Sequence, residues 1–196
     1  MNNISIRQAV KTDAQIITEL NLQAGGGVAE FLLTGLIPNV SPKQMMQHQI
    51  ESDEAPYSYQ FVIVAELDNR VVGSANFYPS EFNHVPDASE ESFIPFDRTN
   101  AVLAPMYRHC PKNTIYLHAL AVLPEYQGKR IGKKLLDYVK NISQEKKQAV
   151  TLHAWMDNHR AIKLYENEGF KIIERIEIKC QPLLPHDGGM VLMQFN

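Results

Sequence analysis

Cysteine is scarce: Cys110 and Cys180 are the two in 196 residues. They share no CxxC spacing, and no cluster of His or Cys surrounds them. That argues against a disulfide framework and against a zinc site, leaving two reduced thiols as the plain expectation. Long apolar runs are missing too, and the opening MNNISIRQAV has no apolar core of a signal peptide. The expectation is a cytoplasmic protein with no membrane partner. Charge of one sign is also lacking. The formal net charge is −3, so there is no overall basic footprint for nucleic acid. Neither GxxxxGK[ST] nor GxGxxG occurs, which excludes the P-loop and the dinucleotide fingerprint.

What is present is a globular balance, with 44% hydrophobic and 21% charged residues. The length suits one domain, residues 1–196, with an insertion at about 79–113. Ile4, Ile6 and Val10 begin a short strand. Thr12 or Asp13 then caps a helix carrying Ile16, Ile17 and Leu20, which Gly25-Gly26-Gly27 breaks. Val28–Leu36 reads as a second helix, and Ser41-Pro42 as the N-cap and first position of a third, Lys43–Ile50. YQFVIVAEL and RVVGSANFY, joined by Asp68-Asn69, read as a β-hairpin.

Pro79–Lys112 holds five prolines and no sustained period. Phe82, Phe93, Phe96, Leu103, Met106 and Tyr107 could all pack, so it reads as an ordered insertion. TIYLHALAVL follows as a buried strand, then a helix over Arg130–Lys147 and a strand AVTLHAWM. Asp157 or Asn158 caps a helix that Gly169 ends. FKIIERIEIKC and MVLMQF are the last strands, joined through Asp187-Gly188-Gly189. No internal repeat is visible.

One stretch carries the wrong sign for its place. In PEYQGKRIGKKLL, Lys129, Arg130, Lys133 and Lys134 crowd a helix start, where the macrodipole favours acids. A strand end, a glycine-containing turn and a helix N-terminus aim free N–H groups at one point. A bound phosphate or pyrophosphate would reconcile the charge with the position; an ordinary solvated basic face is the plainer alternative.

LAVLPEYQGKRIGKKLL resembles the coenzyme A-binding motif of the GNAT acyltransferase superfamily, [QR]-x-x-G-x-[GA] after a strand. Gln127 and Gly132 match its ends, and Arg130 stands where glycine is usual. NHRAIKLYENEGFKII resembles the later motif N-x-x-A-x-x-[LF]-Y-x-x-x-G-F at Asn158, Ala161, Leu164, Tyr165, Gly169 and Phe170. The resemblance implies an α/β (α+β) fold with a mixed, mostly antiparallel splayed sheet flanked by helices. It implies acetyl-CoA as cosubstrate, with no metal. It places pantetheine and thioester on the backbone of Leu120, Ala121 and Val122. It places the pyrophosphate on the turn of Gln127, Gly128, Lys129, Arg130, Ile131, Gly132 and Lys133. Asn158 would contact the cofactor arm, and Tyr165 would donate a proton to the departing thiolate. Read without the resemblance, Asn158 is a helix cap and Tyr165 a core residue.

Transfer to an amine needs a proton acceptor. His118 is the preferred candidate, because it lies two residues before Leu120 and shares its strand face, and because histidine titrates near neutrality. LHALAV resembles the equivalent strand of arylalkylamine N-acetyltransferases; a structural histidine is the alternative. Tyr116 and His153 are weaker candidates. The expected reaction is direct attack of a primary amine in a ternary complex, with a small-molecule acceptor preferred. A protein or peptide acceptor, or a non-catalytic acyl-CoA sensor, are the rivals. Early helices, insertion and last hairpin should build the acceptor site. In the insertion Glu81, Asp87, Glu90, Glu91 and Asp97 outnumber Arg98, Arg108 and Lys112, which would suit a cationic amine or polyamine. A homodimer is compatible with the resemblance.

Overall fold

Strand β2 (Val62–Leu67) sends alternate side chains to two faces. Ile63 and Ala65 enter one hydrophobic cluster, and Val62 and Val64 another. This alternation organises the computed structural model, which describes residues 4–85, 94–181, 184–186 and 188–196. Around β2 the chain runs β1 (Ile4–Gln8), α1 (Ala14–Gly25), α2 (Val28–Leu33), α3 (Pro42–Glu51), then β2, β3 (Arg70–Pro79), α4 (Phe96–Tyr107) and β4 (Ile115–Val122). It continues through α5 (Ile131–Lys146), β5 (Val150–Trp155), α6 (His159–Asn167), β6 (Lys171–Ile176) and β7 (Met190–Phe195).

The strands form one sheet in the order β1-β2-β3-β4-β5-β7-β6. Every pairing is antiparallel except β4 with β5. On one face α5 buries Ile131, Leu135, Leu136 and Val139 against Val72, Leu117 and Leu152. Each such side chain contributes about 1.5–3 kcal/mol of transfer free energy. On the other face, α1 and α3 cover Val62 and Val64, while α2 and α4 pack over Tyr78, Tyr116 and Trp155.

Local chemistry sets the connections. Asp68 and Asn69 both take positive φ, as a two-residue hairpin turn requires. Ser41 and Gln44 form a reciprocal capping box with Pro42 at the first helical position, as the sequence predicts. Asp13 differs from expectation. It makes no cap bond to α1; it accepts from the Val10 N–H at 2.9 Å and pairs with Arg7 at 2.7 Å. The predicted last-but-one strand also stops early, at Ile176 rather than near Cys180. Of its closing turn, Asp187 lies outside the described residues.

The insertion is more regular than its sequence suggests. Its second half is the twelve-residue helix α4, with Pro105 in its interior. Phe93, Asp87, Glu90 and Glu91 lie outside the described residues.

Two irregularities in β4 position the site. First, β4 and β5 pair only at Ile115–Val150 and Tyr116–Thr151. Beyond Tyr116 the strands part and the sheet opens. Second, Asn76 and Phe77 of β3 pair with Ala119 and Leu117, so His118 is an extra residue opposite one step of β3. This bulge shifts the alternation by one residue.

Candidate active site

The parted strands wall a cavity of about 650 Å³. The Leu120–Val122 segment of β4 faces His153, Ala154 and Trp155 of β5 across it. Helix α6 brings Asn158, Arg160 and Tyr165; α4 brings Leu103, Met106 and Tyr107.

At one end lies the turn into α5. Gly128 has φ +78° and Arg130 φ +61°. The left-handed conformation usual for glycine is thus kept at Arg130, which serves as N-cap. The first intrahelical bond runs from Lys134 N–H to the Arg130 carbonyl, so the N–H groups of Ile131, Gly132 and Lys133 have no intrahelical acceptor. No acidic residue occupies this first turn. Gln127 locks the preceding chain: its Nε2 donates to the Val122 carbonyl at 3.0 Å, and its Oε1 accepts from Arg160 at 2.7 Å. Gln23 of α1 donates to the same carbonyl at 3.1 Å.

The four basic side chains do not act alike. Arg130 and Lys133 line the cavity, whereas Lys129 and Lys134 do not. Lys129 Nζ lies 4.9 Å from the Tyr126 ring centroid. Lys133 is tied to Glu168 at 2.6 Å and to Asp137 at 3.4 Å. Its ammonium is therefore shared with two carboxylates, which corrects the expectation of four charges available to one anion. Arg160 supplies a cation the sequence reading missed. Its place in the first turn of α6 has the same inverted sign that singled out α5, so the same rule could have found it.

Tyr165 is 8% exposed and lines the cavity. Its ring packs on Phe170 at 5.6 Å, and its hydroxyl has no hydrogen-bond partner among the described residues. Burial pushes its pKa well up, so it holds its proton. Asn158 caps α6, its Oδ1 accepting from the Ala161 N–H at 3.1 Å.

His118 departs from expectation in two ways. The bulge removes it from the face of Leu120, which packs against the α5-side core. His118 instead stands among Tyr57, Tyr78 and Tyr116, with ring centroids 5.4, 5.7 and 6.3 Å away. Burial also lowers its pKa to about 4, so it is neutral rather than poised near neutrality. Its Nδ1 is 3.2 Å from the Tyr78 hydroxyl.

His153 Nδ1 is 2.9 Å from the Tyr116 hydroxyl, and burial lowers this ring to about 4 as well. The Met106 backbone lies against the His153 ring, and Nε2 has no hydrogen-bond partner within bonding geometry among the described residues. Tyr107 interacts through its hydroxyl with Tyr57, Tyr78 and Tyr116. The chain thus encloses a polar but uncharged cluster that pairwise motifs did not reveal.

The acidic residues of the insertion do not form the expected mouth within the described part. Glu81 accepts from the Asn113 N–H at 2.7 Å, and Asp97 sits in the first turn of α4; neither lines the cavity. Arg98 donates to the Leu32 and Thr34 carbonyls, clasping α4 to α2. Cys110 and Cys180 also lie outside the lining. Among the described residues, no group of three potential metal ligands occurs, and no helix is long and apolar enough to cross a membrane.

A family model described as the acetyltransferase (GNAT) family matches residues 30–170. Among curated proteins, none matches. A solved structure described as an acetyltransferase is 23% identical, covering 97% of each chain at a TM-score of 0.66. An N-acetyltransferase from Staphylococcus aureus Mu50 is 21% identical over 97% of this chain and 100% of its own, at 0.67. A mosquito arylalkylamine N-acetyltransferase-like 5b protein is 17% identical over 98% and 99%, at 0.64.

Proposed function

Because the chain belongs to the GNAT acetyltransferase family and is an acetyl-CoA-dependent N-acetyltransferase, we propose that its acceptor is a small primary amine that attacks directly in a ternary complex. The carrying observation is α4: Leu103, Met106 and Tyr107 line the cavity, so this part of the insertion forms a piece of its wall. An open groove for a peptide would leave that wall unfilled.

The residues present suit the cosubstrate. The unpaired N–H groups of Ile131, Gly132 and Lys133, with Gly128 and Arg130, cradle the pyrophosphate. Arg130 and Arg160 offset its charge. The backbone of Leu120, Ala121 and Val122 runs where β4 has no strand partner toward β5, so its N–H groups can polarise the thioester oxygen. Asn158 flanks the pantetheine arm while capping α6.

The neutral amine nitrogen bonds to the carbonyl carbon, the carbon–sulfur bond breaks, and the nitrogen gives up one proton. Tyr165 donates its proton to the departing sulfur. His118, held neutral, accepts a hydrogen bond from the amine and orients it; the proton the nitrogen releases makes up the one Tyr165 gives to sulfur, so the phenol is restored and no net charge is left. No cysteine reaches the cavity, in keeping with direct attack rather than an acyl-enzyme.

Incubation with acetyl-CoA and panels of small amines and peptides, with free thiol as readout, tests this reading. Turnover of small amines is expected. Turnover confined to peptides would overturn the acceptor class, and CoA binding without any turnover would point to a sensor.

A further inference from the structure

Among the described residues, the side chains that line the cavity and carry a buried polar atom without a partner are Asn21 and His153. Asn76 is as deeply buried and as unpartnered, but it lies outside the lining. His153 is held by the Tyr116 hydroxyl and backs onto the Met106 backbone. Asn21 has no such support: its Oδ1 is enclosed, and the residue is 6% exposed. It stands inside α1, where asparagine is a poor helix former, and its oxygen makes no bond back to the helix. A leucine would fill the position without leaving a polar atom unsatisfied.

The register shows what Asn21 faces. Val62 and Val64 of β2 pack with Ala14 and Ile17 of α1. Val62 pairs with Asn76 and Val64 with Ser74; these pair in turn with Ala119 and Ala121 of β4. Directly opposed residues share a face, so Ala119 and Ala121 face the α1 side of the sheet. Both line the cavity, and Asn21, one turn beyond Ile17, lines it from the helix. Tyr78 continues the face of Ser74 and Asn76, and His118 Nδ1 lies 3.2 Å from its hydroxyl. His118 and Asn21 therefore enter the cavity from the same side of the sheet.

We propose that Asn21 contacts the substrate as the second hydrogen-bond acceptor for the attacking amine. This rests on the small-amine reading above and adds a residue to that site. A neutral primary amine has one lone pair and two N–H bonds. The lone pair must point at the thioester carbon, so both N–H bonds point away from it. With His118 as its one acceptor, the nitrogen could still turn about that bond. The Asn21 oxygen takes the second N–H and fixes the lone pair. The same contact supplies the partner that the buried amide lacks.

Phenethylamine and N-methylphenethylamine, with two N–H bonds and one, read this contact directly. The wild-type protein should favour the primary amine by about tenfold or more in kcat/KM. In Asn21→Leu and Asn21→Ala the primary amine should lose about tenfold and the N-methyl amine about twofold or less, so the preference collapses. CoA affinity, measured by calorimetry, should be unchanged in both variants. Asn21→Leu should also unfold at no lower urea concentration than wild type, because it removes an unsatisfied buried group. A purely structural asparagine would lower that midpoint and leave the preference intact. Equal losses for the two amines, an unchanged preference, or failure of both variants to fold overturns the assignment while the small-amine reading stands. No turnover of any small amine by the wild-type protein overturns both.

Discussion

The Lys133 ammonium lies 2.6 Å from Glu168 Oε2 and thereby fastens the first turn of α5 to the C-cap of α6. Lys140 meets the same oxygen at 2.9 Å. The two helices that wall this end of the cavity are tied together by one carboxylate. That carboxylate is kept well ionised because both lysines lower its pKa.

Lys133 should therefore matter less for cosubstrate affinity than its position suggests. Lys133→Met is expected to change CoA affinity by less than about threefold, whereas Arg130→Glu should weaken it at least tenfold, about 1.4 kcal/mol. Calorimetry at two ionic strengths checks this, because the Arg130 effect should shrink with salt. Equal losses in both variants would show that Lys133 leaves Glu168 for the phosphates.

Arg130→Gly should separate stability from binding. Relief of the left-handed strain is about 1–2 kcal/mol, and the freer glycine chain costs about 0.5–1 kcal/mol in the unfolded state. A net gain of about 0.5 kcal/mol in urea unfolding is expected beside weaker CoA binding. A parallel fall in both would mean the arginine side chain supports the turn itself.

Tyr165→Phe should lower kcat by about 100-fold, in the range of a lost general acid. CoA affinity should stay near wild type, since the ring and its packing on Phe170 remain. Wild-type turnover would remove the hydroxyl from the chemistry.

The buried histidines predict how stability responds to acid. His118 and His153 are lowered from 6.5 to about 4 in the folded state. Between those values the unfolded chain binds protons that the native chain refuses, so stability falls as pH drops from about 6.5 toward 4. The full loss is on the order of 3 kcal/mol per ring. Urea midpoints at pH 7.5, 6 and 5 should decline, and His153→Phe should flatten the decline. Asp13 and Glu168, lowered by their cationic partners, add losses at lower pH. For catalysis the corollary is that His118 contributes no inflection near neutrality. An inflection there that vanishes in His118→Ala would contradict the neutral ring.

The parts of this protein written locally were legible in its sequence. Ser41-Pro42 and Asn158 announce helix starts through side-chain acceptors, Asp68-Asn69 announces a turn through its tolerance of positive φ, and the inverted charge before α5 falls on a turn that lines the cavity. What escaped depends on contacts distant in sequence. Pro105 interrupts the period of α4, although the helix survives because it packs on Tyr78 and Tyr116. The bulge at His118 is set by β3, forty residues away, so alternation along β4 alone assigned the histidine to the wrong face. The pairing of Lys133 with Glu168, and the neutral tyrosine–histidine cluster, exist only once α6, β5 and α4 are brought together.

The short ladder between β4 and β5 has one more consequence. A strand with unpaired backbone is an invitation to other chains, and proteins usually blunt such edges with charge, proline or a cover. Here the open edge of Leu117–Val122 lies inside the sheet, in a wedge between two strands that still pair at its base. A foreign β-strand would need its own width along the whole edge, and the converging walls deny it. A thin, flexible thread can lie in the same wedge and satisfy the same amides. The geometry that exposes the backbone to a ligand therefore also protects the protein from self-association through that edge.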